Sequence, residues 1–285
     1  MPDMLRARAG VSTTEFMVAM TLTSVLGGAL TGVFVTQSRL FDTQTEVAMA
    51  RGTSRGAMNL MMSELRMLES GGGVVAASPT AVTVRAPYAL GVVCGTTGAL
   101  TISQLPADPT ALADAGYSGF AYRDPVTGRY TYVEGAGTLP TPAGDAVCAG
   151  AGITVVQDGG GAFDGRALQF PLVPSPVPAI GAAVFLYQRI TYEFRASAAM
   201  PGRIALWRRI EERAEEEEVA APFDSTARFQ FYVNDAPVAQ ATAPPLLHTI
   251  TGLELKLHGV IERPDTEGAR QRMRLSTSVF FKNRM

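Results

Sequence analysis

The chain has 285 residues, 47% of them hydrophobic and 18% charged, which is enough to bury a full globular core. A formal net charge of −2 leaves no basic surplus, so nucleic-acid binding is not expected as the main activity. With two His and two Cys, metal-ligand clusters are scarce from the outset, and neither a metal nor a cofactor is expected.

From Phe16 to Val35 there is no charged residue. As a helix this stretch rises about 30 Å, the thickness of a bilayer's hydrocarbon core. Thr21, Thr23, Ser24, Thr31 and three glycines dilute its apolar character. A buried core helix is the alternative, although so long an uncharged stretch rarely belongs in a soluble core. A removable secretory signal needs a shorter apolar stretch and a small-residue cleavage site, whereas this one ends in Val33-Phe34-Val35-Thr36. An ordinary signal anchor fits the length but leaves Glu15 unexplained, because a carboxylate at the edge of an apolar span is costly and suggests function.

The residues Gly10-Val11-Ser12-Thr13-Thr14-Glu15, followed at once by the apolar run, resemble the type III signal of prepilins and pseudopilins. The resemblance implies that a prepilin peptidase cuts after Gly10 and that Val11 becomes a methylated N-terminus. It also implies that Glu15, at the fifth mature position, is the carboxylate used in assembly. Residues 1–10 would be the leader, and Arg6 and Arg8 would hold that end in the cytoplasm. The sequence departs from the family pattern at Val11, where Phe or Met is usual, and at Thr13-Thr14, where Leu-Ile or Leu-Val is usual.

Past the membrane span at 11–35, an amphipathic continuation is expected over 36–70. Leu40, Val47, Met61 and Leu68 fall on a seven-residue spacing, and Ala50, Ala57 and Leu65 fill neighbouring turns. Glu64 and the other charged residues of this segment are expected outward or sideways, and Gly71-Gly72-Gly73 is expected to stop the helix. Two helices broken near Gly27-Gly28 or Gly52 are the alternative.

Residues 71–285 read as a β-rich head. Expected strands are Ala81–Arg85, Ala99–Gln104, Phe120–Arg123, Arg129–Glu134, Ile153–Gln157, Ala167–Val173 and Ala183–Arg195, with a hairpin turn over Asp124–Gly128. Ile204–Ile210 follows a turn at Met200-Pro201-Gly202. Phe229, Phe231 and Val233, then Leu253, Leu255 and Leu257, then Met273, Leu275, Thr277, Val279 and Phe281 alternate with polar residues, as antiparallel strands do when one face packs on a helix. The fold class expected is therefore α+β, a long N-terminal helix packed on an antiparallel β-sheet head. The last strand, Ser276–Asn283, and the pairing of Ile190–Phe194 with Ala205–Arg208 look like those of PilW-type minor pilins and of minor pseudopilin J.

Candidate chemistry in the head is sparse. Glu211-Glu212 and Glu215–Glu218 form a dense acidic run, expected to be a solvated loop beside Arg208, Arg209 and Arg213. His248 and His258 stand without clustered partners, Trp207 reads as packing, and no catalytic motif or catalytic residue is found. An extracytoplasmic head favours oxidation of paired cysteines, so a Cys94–Cys148 bridge is expected, each cysteine in a small-residue loop, with free or intermolecular thiols as the alternative.

The expectation is a non-enzymatic minor pilin or pseudopilin whose partners are other pilin-like subunits, the prepilin peptidase and the inner membrane. The other classes open at this point are a signal-anchored extracytoplasmic enzyme and an adhesin or ligand-binding module on the same anchor.

Overall fold

The structure, a computed structural model, describes residues 12–104, 117–135, 142–153, 167–171, 173–213, 215–264 and 270–281. The chain divides after Met49 into two compact units. One helix, α1 (Thr13–Leu65), passes from the first into the second without a break at any of its glycines.

In the first unit the helix is made of side chains that meet no protein core. Phe16, Met17, Val25, Leu26, Phe34 and Phe41 are each more than half exposed. The polar residues that dilute this stretch satisfy themselves: Thr23, Ser24 and Thr31 donate their hydroxyls to the carbonyls of Ala19, Met20 and Gly27, four residues back, at 2.7–2.8 Å. Such back-bonding leaves the hydroxyls needing no water.

In the second unit the helix becomes one-sided. Ala57, Met61 and Leu65, spaced four apart, form a stripe with 2% exposure or less, and Leu68 continues it. Leu40, expected on that stripe, is 59% exposed, and the side chain of Val47 lies outside the described residues. The helix also ends at Leu65, earlier than expected. Met67 and Leu68 close onto Glu64 and Leu65 with three-residue turns at 3.2 Å, which tighten the chain so that Leu68 still reaches the core.

The head is an antiparallel sheet of twelve strands among the described residues. Three long strands organise it: β2 (Ala81–Gly95), β7 (Ala183–Ala196) and β11 (Ile250–Pro264). β2 pairs with β7 along most of its length, and with β1 (Val74–Ala77) and then β3 (Leu100–Gln104). β7 pairs with β4 (Gly119–Arg123) through Val184–Tyr187, and with β8 (Ile204–Ile210) through Ile190–Ala196. β5 (Tyr130–Glu134) adds to β4, and β6 (Leu168–Phe170) to β3. β9 (Glu215–Phe223) adds to β8, while β10 (Arg228–Val233) and β12 (Arg270–Phe280) both pair with β11.

Alternation along β7 puts Val184, Leu186, Ile190, Tyr192 and Phe194 on one face. That face serves two cores. Ile190, Tyr192 and Phe194 pack with Met61, Leu65 and Leu68 of the helical segment and with Phe229, Leu255 and Val279. Val184 and Leu186 pack instead with Ile102, Phe120 and Phe170, and the buried polar Gln188 stands between the two groups. The fold is thus α+β, with the end of the helix packed on the sheet.

Two local expectations are overturned. The acidic run is not a solvated loop: after a short 3-10 turn at Glu211–Arg213 it enters β9, paired in register so that Glu216 faces Arg209 and Glu217 faces Arg208. Opposite charges on neighbouring strands let a run of acids occupy a ladder. Cys148 lies not in a loop but on a short helix, α2 (Pro142–Gly150). The strand expected at Ile153–Gln157 falls almost wholly outside the described residues.

Candidate functional site

Gly10 and Val11 lie outside the described residues. Ser12 starts the first turn, accepting from the Phe16 N–H at 3.0 Å. The Ser12 N–H in turn donates to Glu15 Oε2 at 3.0 Å, and the Ser12 hydroxyl lies 3.4 Å from the Thr14 N–H. This is the reciprocal logic of a capping box: Ser-x-x-Glu at a helix start satisfies donors that have no partner inside the helix. A carboxylate there also sits at the positive end of the helix dipole. Glu15 is therefore turned back on its own first turn.

Behind it, Thr13–Asp42 forms 30 residues of helix, and its most apolar 18 residues have a mean hydropathy of 1.8 and no burial inside the protein. It is long and apolar enough to cross a membrane.

In the second unit, Glu64 anchors the last helical turn to the sheet. Its Oε1 accepts from Arg208 Nη2 at 2.7 Å, and its Oε2 accepts from Arg208 Nε at 3.5 Å and from the Tyr192 hydroxyl. Burial pushes the Tyr192 phenol up, and the adjacent Glu64 adds to the shift. Glu64, expected outward or sideways, is instead a structural ion-pair partner with 20% of its side chain exposed. A signal for it exists in the sequence, because Arg208 and Arg209 interrupt an otherwise apolar strand.

The cysteines meet. Cys94 at the end of β2 and Cys148 on α2 are bonded, with Cα atoms 4.7 Å apart, and Cys148 is fully buried with Ala167 and Cys94. The approach is close enough that a Cβ on Gly95 would lie 2.5 Å from the Val147 side chain. The bridge ties α2 to the part of the sheet that the long helix does not cover.

Other residues singled out by sequence find structural surroundings. Trp207 donates its indole N–H to the Ala196 carbonyl at 3.1 Å, and the Arg195 guanidinium stacks 4.1 Å from its ring centre while bonding Glu216. Glu218 accepts the Ser197 hydroxyl at 2.6 Å and the Ala198 N–H at 2.8 Å. His248 sits on a 3-10 turn, Leu247–Thr249, while the side chain of His258 lies outside the described residues.

Sequence reasoning passed over Glu69 entirely. It is 96% buried, as its 4% exposure states, and its only sequence signal is that it directly follows the core residue Leu68. No protein-family model, no curated protein and no solved structure matches the chain.

Proposed function

We propose that this protein is a minor pilin or pseudopilin-like structural subunit, anchored in the inner membrane by Thr13–Asp42 with its head outside the cytoplasm. On this reading a prepilin peptidase removes residues 1–10, Val11 becomes the methylated terminus, and the subunit joins other pilin-like chains in a filament. The observation that carries the proposal is the arrangement at the helix start: a single carboxylate, Glu15, held at the amino end of the uncharged run Phe16–Val35, whose large apolar side chains are exposed. An amine exposed by cleavage would lie in an apolar helix bundle, where an unpaired charge is expensive. Glu15 is the group available to neutralise it, on its own chain or on a neighbour, and such a pairing selects correctly staggered subunits.

The test uses the capping geometry. Gln serves a capping box as Glu does, so Glu15→Gln keeps the local cap and removes the charge. The expected outcome is normal membrane insertion and cleavage with poor recovery in filaments. Full incorporation of the Gln variant at normal stoichiometry would remove the charge-pairing role, and loss of cleavage would move Glu15 into peptidase recognition.

A further inference from the structure

A cavity of about 170 Å³ opens in the head, with Glu69, Met67, Tyr130, Tyr132, Phe185 and Tyr187 in its walls. Two aromatic pairs line it: Tyr130 and Phe185 have ring centres 5.8 Å apart, and Tyr132 and Tyr187 meet edge to face at 5.6 Å. The Tyr132 ring is seated by Gly72, where a Cβ would come within 2.8 Å of it. Arg85 fixes the same pair from within the fold, its guanidinium 4.9 Å from the Tyr132 centre and bonded to the Gly72 carbonyl and to Glu134.

The one carboxylate in these walls is poorly served. Glu69 is 4% exposed, and its Oε2 has no hydrogen-bond partner among the described residues. A buried acceptor left unmade is costly, and in a native structure it asks for an explanation. Burial pushes the Glu69 carboxyl up to about 7, against the Tyr130 N–H and the Arg123 charge, which pull it down.

Ring faces attract cations, and a carboxylate at the end of such a pocket adds a charged acceptor. A hard metal ion needs several oxygen ligands, whereas this wall offers one carboxylate among aromatic rings, a thioether and the Arg66 side chain. The volume is close to that of an apolar cavity of about 150 Å³ that holds benzene, so it takes a group of a few heavy atoms. We propose that the Glu69 cavity binds an alkylammonium group carrying at least one N–H, which donates to Glu69 Oε2 while its carbon chain lies against Tyr130, Tyr132 and Phe185. A lysine side chain of a partner and a free small amine share this chemistry. The site does not depend on how the chain assembles.

The charged and titratable groups around Glu69 are Arg66 at the cavity wall, Arg123, Tyr130, Tyr132 and Tyr187, together with Arg129 and His248 in a second cavity that Glu69 also lines. Binding requires the Glu69 carboxylate, so affinity rises with pH through about 7.

The probe is n-butylammonium, compared with the isosteric neutral 1-butanol, titrated into full-length protein in detergent and followed on tyrosine-ring resonances. At about pH 8 butylammonium should bind about ten-fold more tightly than 1-butanol. The preference should collapse in Glu69→Gln and at about pH 5.5, where the carboxyl is protonated and the probe is still charged. His248→Gln should leave that pH dependence in place. Tyr130→Leu provides a second route if Glu69→Gln fails to fold: it should weaken butylammonium about three-fold and leave 1-butanol unchanged. Equal affinity for the two probes, an unchanged preference in Glu69→Gln, equal loss of both in Tyr130→Leu, or displacement of butylammonium by calcium at lower concentration would each overturn the proposal. If butylammonium binds as expected, a lysine peptide that competes with it points to a partner side chain, and a peptide that does not points to a free amine.

Discussion

The two ends of α1 are one helix in two environments. Between Thr13 and Val35 the large apolar side chains are exposed, hydroxyls bond back to the helix's own carbonyls, and the one acid, Glu15, bonds to its own first turn. Between Ala57 and Leu65 the stripe of Ala57, Met61 and Leu65 is buried, Met58, Leu60 and Met62 beside it are half-buried, and the acid Glu64 is held by Arg208 and Tyr192 from the sheet. The second stretch is stabilised by tertiary contact, and the first is self-sufficient in hydrogen bonds yet leaves its apolar surface without a protein partner. A surface of that kind is stable where something else apolar surrounds it, which is what a lipid core or a bundle of like helices supplies.

The comparison breaks if both stretches respond alike to perturbation. The largest effect is expected from the bridge, which belongs only to the head. Closing 54 residues of sequence restricts the unfolded chain by about 4 kcal/mol in the loop-entropy account. Cys94→Ser with Cys148→Ser should lower head stability by about that amount in a urea titration while hydrogen-exchange protection of the first stretch in detergent is unchanged. Met61→Ala should cost about 3 kcal/mol, because it empties a fully buried position facing the sheet. The matching change Leu22→Ala, at a residue 59% exposed, should leave head stability within about 0.5 kcal/mol.

A third carboxylate sharpens the comparison through pH. Glu69 has its folded pKa raised from 4.5 to about 7 by burial. Below 4.5 both folded and unfolded chains hold the proton and nothing is lost. As pH rises toward 7 the unfolded chain releases its proton first, so the head loses stability, and above 7 the full cost is present. Glu69→Gln lacks this dependence. In denaturant titrations it should match wild type near pH 4 and exceed it above 7 by no more than about 3 kcal/mol. A constant difference across that range would show that Glu69 does not titrate in this window.

Much of this was legible in the sequence where a period exists to be read. The uncharged run, the alternation in β7, β11 and β12, the Asp124–Gly128 turn and the bridging of the cysteines follow from local pattern or compartment chemistry. In the Asp124 turn, the carboxylate accepts the Val126 N–H at 2.7 Å, as Asp does in such turns. What was not legible depends on partners distant in the chain. Glu215–Glu218 reads as a charged loop until Arg208 and Arg209 are placed opposite it on the neighbouring strand and Arg195, one strand further, pairs with Glu216. Glu64 reads as a surface residue until Arg208, 144 residues away, meets it. Cys148 reads as a loop residue because Pro, Ala and Gly around it carry no helical period, yet it lies on a helix whose Val147 packs closely on Gly95. Glu69 carries no pattern at all, since its character comes from four rings contributed by β5 and β7.

The central claim is that the exposed apolar stretch begins, in the mature protein, at a terminus created for assembly. Intact-protein mass spectrometry of the chain recovered from membranes, with peptide sequencing of its amino end, tests this most directly. The account predicts a chain that starts at Val11, carries one added methyl on that amine and retains Glu15 four residues on. Recovery of residues 1–10 on the mature protein would contradict it.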